Sequence, residues 1–259
     1  MTSVPVFRAD TDRLAAGRVR LDGPEGRHAA LVRRLRAGER IDLTDGVGRL
    51  AECVVRRAGG SGDPTLDLDV LDLRDLPRPE PRFTVVQALA KGDRGETAVE
   101  TMTEIGVDAI VPWSASRSIT QWRGERGEKA LAKWRSTAVE ASKQSRRVWW
   151  TEVAEAAATN QVARMLAKAA LAVVLHEDGE RALADLTADQ LVPADGRTGD
   201  IVLIVGPEGG VSPEELHAFG EAGAVAYRMG PTVMRTSTAG TAAAAVLLAR
   251  SGRWAADGR

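Results

Sequence analysis

The pattern that most constrains the fold is an alternation of short apolar runs with amphipathic stretches from residue 83 onwards. The apolar runs are FTVVQAL, AIVPW, ALAVVLHE, IVLIVG and AVAYRMG, and sequences with helical spacing separate them. Strands that alternate with helices in this way pair in parallel, and the helices cover both faces of the sheet. The sequence therefore predicts an α/β domain built on a mainly parallel sheet.

One of these apolar runs ends in a turn that indicates a ligand site. In IVLIVGPEGGVSPEEL, the strand-like run stops at a glycine-rich turn, and Ser212 and Pro213 then begin a helix as N-cap and first helical residue. Ligands of open α/β sheets bind beyond the carboxyl ends of strands, where glycines allow close backbone approach. The alternative is a tight turn without a ligand.

The turn does not match the two common phosphate loops. GPEGG is neither G-x-x-x-x-G-K-[ST] nor G-x-G-x-x-G. Glu208 within it also disfavours a polyphosphate, so a neutral or cationic ligand is expected around this loop.

The first third of the chain has strand-like alternation instead. RIDLTDGVGRLAECVV predicts a hairpin around Asp45-Gly46, and TLDLDVLDL places Leu66, Leu68, Val70 and Leu71 inward. Between the strands, GRHAALVRRLRAG predicts a short amphipathic helix closed by Gly38. We expect a small barrel-like domain over residues 1–76, a proline-rich linker over 77–82 and a second domain over 83–259.

Composition excludes several classes of protein. The single Cys53 rules out an internal disulfide or a cysteine metal cluster, and the three histidines have no metal-ligand spacing. There is no apolar run of about 18 residues and no signal-peptide pattern at the start, so a cytoplasmic protein without metal or membrane contact is expected. The net charge is −1, but residues 18–40 and 117–147 are locally basic. Such zones bind phosphate backbones or are merely solvated helix faces.

A second strand-end loop strengthens the prediction of a ligand site. YRMGPTVMRTSTAGTAAAAVLLAR places a loop between a strand and an alanine-rich helix that begins near Ser237 or Thr238. With GPEGGVSPEE, LHE, KGDRGETAVETMTEIGVDAIVPWSASRS, KWRSTAVEASKQSRR and the early HAALVRRLRAGERIDLTDG, it resembles the SPOUT-class RNA methyltransferases. The likeness covers nearly the full length of the chain. Within this class, the sequence most closely resembles the ribosomal RNA small subunit methyltransferase E family.

The resemblance implies a fold and a cofactor. It implies a C-terminal SPOUT domain with a trefoil knot, preceded by an N-terminal PUA-like β-barrel, and a homodimer with the active site near the subunit interface. S-adenosylmethionine lies bent in the knot of such proteins. The cofactor-binding residues that follow from the matching motifs are Leu175, His176, Glu177, Val205, Gly206, Pro207, Glu208, Gly209, Gly210, Met229, Gly230, Val233, Met234, Arg235, Thr236, Ser237, Thr238 and Ala239.

The resemblance also implies a reaction, the methylation of N3 of a uridine in 16S ribosomal RNA, within the assembled 30S subunit. Arg235 is the candidate donor to the charge that develops on the base, although it could instead pair with Glu208 or Glu177. The general base stays open between Glu208, Glu177, a phosphate oxygen and water. The expected RNA contacts are Arg8, His28, Arg33, Arg34, Arg36, Lys91, Arg94, Arg117 and Arg147.

Two departures and three alternatives accompany this interpretation. The family usually has Glu at Ser237 and often Lys at Thr101, which puts a role for those side chains in doubt. The same loops could serve another RNA target. A ribosome assembly factor that binds RNA without catalysis is a second alternative, and a nucleotide-dependent enzyme with an ordinary doubly wound sheet is a third.

Overall fold

The computed structural model describes residues 4–191 and 199–255. Contacts within the chain divide it into two units. The first comprises residues 1–78 with 142–150, and the second comprises 79–141 with 151–259. Residues 142–150 were expected in the second domain, and the structure assigns them to the first.

The first unit is built on a five-stranded mixed sheet. Its strands are β1 (Val6–Arg8), β2 (Arg18–Leu21), β3 (Arg40–Thr44), β4 (Arg49–Ala58) and β5 (Leu66–Asp75), in the order β1-β3-β4-β5-β2. Strand β1 pairs with β3 in parallel and the other pairs are antiparallel, so the hairpin predicted around Asp45-Gly46 is confirmed. Alternate residues of these strands, with Cys53, form one apolar core.

Two sequence predictions about this unit are wrong in detail. Leu71 is 53% exposed because the pairing of β4 shifts from Asp72 to Val70 between Glu52 and Cys53, which leaves Leu71 in a bulge. The predicted helix does not extend to Gly38. It consists of α1 (Gly23–Arg27) and a π-helical turn (His28–Val32), and Arg34 then adopts a left-handed conformation with φ of 55°.

The second unit contains the predicted parallel sheet. Its main strands are β6 (Phe83–Ala88), β7 (Ala109–Ser114), β10 (Leu171–Leu175), β12 (Ile201–Val205) and β13 (Val225–Arg228). The short strands β8 (Glu152–Val153), β9 (Ala157–Ala158) and β11 (Arg181–Ala182) were not predicted. The order is β11-β13-β10-β12-β6-β7-β8, with β9 also on β7, and every pair is parallel.

Helices cover both faces of this sheet, which is why its strands β10 and β12 are apolar throughout. They are α2 (Arg94–Ile105), α3 (Gly124–Gln144, whose last residues belong to the first unit), α4 (Thr159–Leu166), α5 (Ala188–Leu191), α6 (Pro213–Glu221) and α7 (Thr236–Arg250). Two separate apolar clusters lie against the sheet, and α2 and α7 contribute to one while α4 and α6 contribute to the other. The α/β fold is confirmed, and the trefoil knot stays a prediction.

The start of α6 follows the sequence prediction. Ser212 is the N-cap, and its Oγ accepts a hydrogen bond from Glu215 N at 3.2 Å. In return, Glu215 Oε2 accepts a hydrogen bond from Ser212 N at 3.1 Å. This reciprocal capping box fixes the end of the glycine loop that precedes the helix.

Glycines explain how residues 142–150 pack within the first unit. A Cβ at Gly46 would lie 2.6 Å from the Trp150 ring, and one at Gly48 would lie 2.6 Å from the Trp149 ring. Both glycines also have positive φ, +80° and +115°. The turn between β3 and β4 therefore requires glycine at both positions for two reasons, the close tryptophan ring and the backbone conformation. The two tryptophans thereby become part of the first unit. Sequence periodicity does not indicate that the chain goes back to the first unit at residues 142–150.

Candidate functional site

A cavity of about 880 Å³ lies in the second unit, beyond the carboxyl ends of β10, β12 and β13. These three strands are neighbours in the sheet, with β10 between the other two. Three loops follow them and line the cavity, over residues 175–178, 205–211 and 228–236. The parallel sheet therefore brings together segments that are far apart in sequence, at the edge where such sheets bind ligands.

The cavity gathers nearly all of the residues expected to bind a cofactor. All of them line it except Ser237 and Thr238. Ser237 is buried in the first turn of α7, and Thr238 donates its hydroxyl to Arg235 O at 3.2 Å. Further lining residues, which the motifs did not single out as cofactor contacts, are Arg94, Arg117, Asp178, Val211, Pro213, Leu216, Arg228, Pro231 and Thr232. Most of these lie within the quoted motifs, and Asp178 and Leu216 directly follow LHE and GPEGGVSPEE, so position in or next to a motif is the signal that could have found them.

Two arginines contact the glycine loop from other elements. The Arg94 guanidinium, at the start of α2, lies 3.1 Å from Glu208 Oε1. The Arg117 guanidinium donates to Gly209 O at 3.3 Å. Both arginines are exposed. The ion pair between Arg94 and Glu208 therefore contributes only about 0–1 kcal/mol to stability, but it occupies the carboxylate of Glu208.

The glycines of the loop have reasons internal to the protein. A Cβ at Gly209 would lie 3.2 Å from both Arg117 Cβ and Arg117 O, and a Cβ at Gly206 would lie 2.8 Å from Val211 Cγ2. Gly210 has a φ of +73°, which side-chain-bearing residues rarely adopt. Ligand contact by these glycines stays a prediction, and packing within the protein at Gly206 and Gly209 and the backbone conformation of Gly210 favour glycine independently of it.

A buried carboxylate joins this loop to two other elements. Glu215 is 4% exposed, and its Oε1 accepts hydrogen bonds from Ser116 N at 2.8 Å and from Thr159 Oγ1 at 3.0 Å. With the bond from Ser212 N, three donors satisfy the carboxylate. Glu215 thus holds the loop that carries Arg117 against the start of α6. In the sequence, Glu215 is one of two acids in the first turn of a helix, where the helix dipole favours them, and nothing there indicates its bonds to Ser116 and Thr159.

Threonine links the third loop to the second. Thr236 begins α7, and its hydroxyl donates to Gly206 O at 3.1 Å. Its own carbonyl accepts a hydrogen bond from Gln87 Nε2 in the central strand β6 at 3.4 Å. The start of α7 is therefore fixed against the cavity floor, within one residue of the predicted position.

Arg235 precedes this helix as its N-cap. Its carbonyl accepts hydrogen bonds from Thr238 N and Ala239 N, both at 2.9 Å, and its side chain is exposed in the cavity lining. Within residues 4–191 and 199–255, its guanidinium makes no ion pair or hydrogen bond. The alternative in which Arg235 pairs with Glu208 or Glu177 is therefore not seen. Glu208 pairs with Arg94 instead.

The residues expected to contact RNA divide between the units. Lys91, Arg94 and Arg117 belong to the second unit, and the latter two line the cavity. Arg8, His28, Arg33, Arg34, Arg36 and Arg147 belong to the first unit, and all are exposed except the half-buried His28 and Arg147. His28 packs edge-on against Phe7, with ring centroids 5.8 Å apart.

The part of the chain that the structure describes contains neither a membrane-spanning helix nor a metal-binding cluster. No helix among them is both long and apolar enough to cross a bilayer. No group of three or more His, Cys, Asp or Glu side chains in the same residues is arranged to hold a metal ion.

Family models match both parts of the chain. Residues 78–248 match the RNA methyltransferase domain, and residues 21–62 match the RNA methyltransferase PUA domain. The chain is 44% identical to the ribosomal RNA small subunit methyltransferase E of Mycobacterium bovis over 241 residues, which cover 92% of this chain and 88% of that protein. It is 25% identical to the enzyme of the same name from Bacillus subtilis, over 85% of each chain.

Solved structures agree with these matches. The crystal structure of a ribosomal RNA small subunit methyltransferase E from Neisseria gonorrhoeae, bound to S-adenosyl methionine, superposes with a TM-score of 0.80 at 26% identity and covers 95% of this chain and 98% of its own. A putative methyltransferase from Legionella pneumophila in complex with S-adenosylmethionine has a TM-score of 0.80 at 25% identity, over 96% of this chain and 98% of its own.

Proposed function

Because this chain belongs to the ribosomal RNA small subunit methyltransferase E family, we propose that it uses S-adenosylmethionine to methylate N3 of a uridine in small-subunit ribosomal RNA. The observation that carries the proposal is the cavity, in which the loops after β10, β12 and β13 bring the family's motifs together. The RNA contacts that the sequence analysis names, in both units, are part of the same proposal.

The cavity suits a cofactor of this size and chemistry. Its volume of about 880 Å³ falls within the range of roughly 300–1,000 Å³ that is usual for small-molecule sites. Apolar residues such as Leu175, Val205 and Met229 line it together with the glycine loop. Glu177 and Asp178 in the lining suit the ammonium and sulfonium cations of S-adenosylmethionine. When bound, the cofactor would supply the electrophilic methyl group.

The residues of the chain would prepare the uridine. N3 carries a proton and becomes nucleophilic only when that proton leaves, which places negative charge on O2 and O4 of the base. The Arg235 guanidinium lies at the cavity and has no partner among the described residues, so it is our candidate to stabilise that charge. A preorganised donor of this kind contributes about 3 kcal/mol in other enzymes.

Two carboxylates of the cavity are candidates for the group that accepts the N3 proton. Glu208 is engaged by Arg94, whereas Glu177 is exposed and has no ion pair within the described part of the chain. A phosphate oxygen or water could also serve. Comparing the pH–rate profiles of Glu177→Gln and Glu208→Gln would identify a carboxylate base, because only loss of the base removes the acidic limb, where the rate rises as the base loses its proton.

The proposal extends to partners and location. Reaching N3 requires a uridine that is splayed out of its stack, and we expect this in the assembled 30S subunit. As the family resemblance implies, we propose that the protein acts as a homodimer and in the cytoplasm, where ribosomes assemble.

The test is methyl transfer to a mapped position. Purified protein is incubated with labelled S-adenosylmethionine and either 30S subunits or deproteinised small-subunit RNA that lack the modification. We expect label in the RNA and a reverse-transcription stop at one uridine, because an N3 methyl group blocks the Watson–Crick edge. Label at another base or in another RNA would show that the protein is a methyltransferase with a different substrate from the one proposed. Cofactor binding without any transfer would favour a non-catalytic assembly factor, and absence of cofactor binding would contradict the proposal.

A further inference from the structure

The arginines of the first unit differ in the partners of their guanidinium groups. Most of those on or beside its strands form ion pairs, namely Arg13–Asp22, Arg18–Asp69, Arg20–Asp63, Arg40–Glu52, Arg49–Asp75, Arg57–Asp67 and Arg74–Glu52. Arg8 and Arg78 are exposed and have no carboxylate partner among the described residues. Much of the positive charge of the sheet is therefore neutralised within the protein, and Arg8 and Arg78 are among the exposed arginines of the unit that stay unpaired within the described residues.

A tryptophan contact sets Arg8 and Arg78 apart from the other unpaired arginines of this unit. The Arg8 guanidinium carbon lies 5.6 Å from the centroid of the Trp150 ring, and that of Arg78 lies 5.5 Å from the centroid of the Trp149 ring. An aromatic ring attracts a guanidinium without neutralising it. Because the N–H donors point outward from the edge of the planar group, a stacked arginine keeps them available for another acceptor.

The tryptophans are themselves held firmly. Trp149 Nε1 donates to Leu76 O and Trp150 Nε1 donates to Arg147 O, both at 3.0 Å. The rings also lie against Gly48 and Gly46, where no side chain could be accommodated. Both indoles have thus used their polar group within the protein and serve as a rigid support.

The backbone of Arg8 is also tied to the segment that carries the tryptophans. Glu25 Oε2 accepts a hydrogen bond from Arg8 N at 3.3 Å, and Glu25 Oε1 lies 2.8 Å from Lys143 Nζ. Lys143 precedes the two tryptophans in residues 142–150, which belong to the first unit. One carboxylate therefore links the start of the sheet to this segment.

We propose that Arg8 and Arg78, on their tryptophan supports, form an arginine–tryptophan surface that contacts phosphates of the RNA. Arginine forms charge-assisted hydrogen bonds to phosphate oxygens with its fork of donors, and stacking reduces the rotamer freedom that each side chain loses on binding. The proposal rests on the proposed function for the choice of RNA as the polyanion. It adds Arg78, Trp149 and Trp150 to the residues expected from the sequence, and it gives Arg8 a physical role.

The test uses the full-length protein and a transcript of small-subunit ribosomal RNA, with affinity measured over a range of salt concentrations. Arg8→Gln and Arg78→Gln should each weaken binding and reduce the slope of log affinity against log salt by about 0.7–0.9, since each lost phosphate contact releases one counterion fewer. The double variant should lose about twice as much slope. The matched control is Arg49→Gln, which removes the same charge from an arginine already paired with Asp75 and should leave the slope unchanged.

A second variant separates stacking from charge. Arg78→Lys keeps the positive charge but loses the planar group, so the slope should be retained while affinity falls severalfold. Cofactor affinity should be normal in every variant, because the cavity lies in the other unit. The proposal would be wrong if the double variant kept the salt slope of the wild-type protein. It would also be wrong if Arg49→Gln reduced that slope as much as Arg8→Gln or Arg78→Gln does.

The two proposals can fail separately. If the wild-type protein methylates the RNA but the double variant binds it normally, the surface is wrong and the function stands. If the double variant loses RNA binding but the wild-type protein transfers no methyl group, the function is wrong and the surface stands.

Discussion

Glu215 Oε1 accepts a hydrogen bond from the backbone N–H of Ser116 at 2.8 Å, across 99 positions of sequence. The next residue after Ser116 is Arg117, whose guanidinium donates to Gly209 O in the cavity wall. Glu215 also caps the helix that ends the same glycine loop. One buried carboxylate therefore fixes both sides of the contact between Arg117 and the loop.

Glu215→Gln is expected to loosen this wall. An amide has one acceptor oxygen instead of two, so at least one buried N–H loses its partner, at a cost of about 1–3 kcal/mol. We expect a lower thermal midpoint and severalfold weaker binding of S-adenosylmethionine by calorimetry. Glu214→Gln is the control, because Glu214 precedes it in the same helical turn but is exposed. Equal effects of the two substitutions would show that the capping charge matters and the link to Ser116 does not.

Gly209→Ala tests the packing of the loop. The new Cβ would lie 3.2 Å from Arg117 Cβ and O, which is tighter than usual, so the loop or Arg117 must shift by a few tenths of an ångström. We expect weaker binding of S-adenosylmethionine, and a larger loss with Gly209→Val. Gly220→Ala, where a Cβ meets nothing within 4 Å, should leave the affinity unchanged. Normal cofactor affinity in Gly209→Val would mean that this loop is not part of the cofactor site.

Arg235→Ala is expected to separate chemistry from binding. If the guanidinium stabilises the developing uridine anion, single-turnover methyl transfer should slow by on the order of a hundredfold, as for loss of one charge-stabilising donor. Arg235→Lys should recover only part of the rate, because a point charge does not reproduce the planar fork. Affinity for S-adenosylmethionine should change little. A normal rate with lost cofactor affinity would make Arg235 a structural residue of the loop.

Cys53 reports on the core of the first unit. Burial raises the pKa of its thiol to about 12, so the nucleophilic thiolate is scarce in the folded protein at moderate pH. Native protein at pH 8.5 should resist iodoacetamide, and denatured protein should react at once. The raised pKa stabilises the fold fully below the unfolded pKa near 9, and this contribution is lost as pH rises towards 12. The unfolding free energy of Cys53→Ala should therefore fall less steeply over that interval. Rapid labelling of native protein would show that the unit opens readily.

The sequence by itself was enough for the main strands of the second unit, for their parallel pairing and for its candidate loops. The apolar runs from Phe83 to Arg228 correspond to β6, β7, β10, β12 and β13, because period and capping residues act over a few positions along the chain. Ser212 as N-cap and the start of α7 are local in the same sense. The family motifs added which loops meet, and these loops surround one cavity.

Only the tertiary structure decided which side chains hold one another. Glu215 with Ser116, Arg94 with Glu208 and Trp150 with Gly46 are each separated by about a hundred residues or more, and nothing in their own spacing encodes the contact. The bulge that exposes Leu71 is likewise a mismatch between two strands, which neither strand shows alone. Periodicity reflects the local backbone and the face that is buried, whereas partners depend on how the elements pack across the sheet.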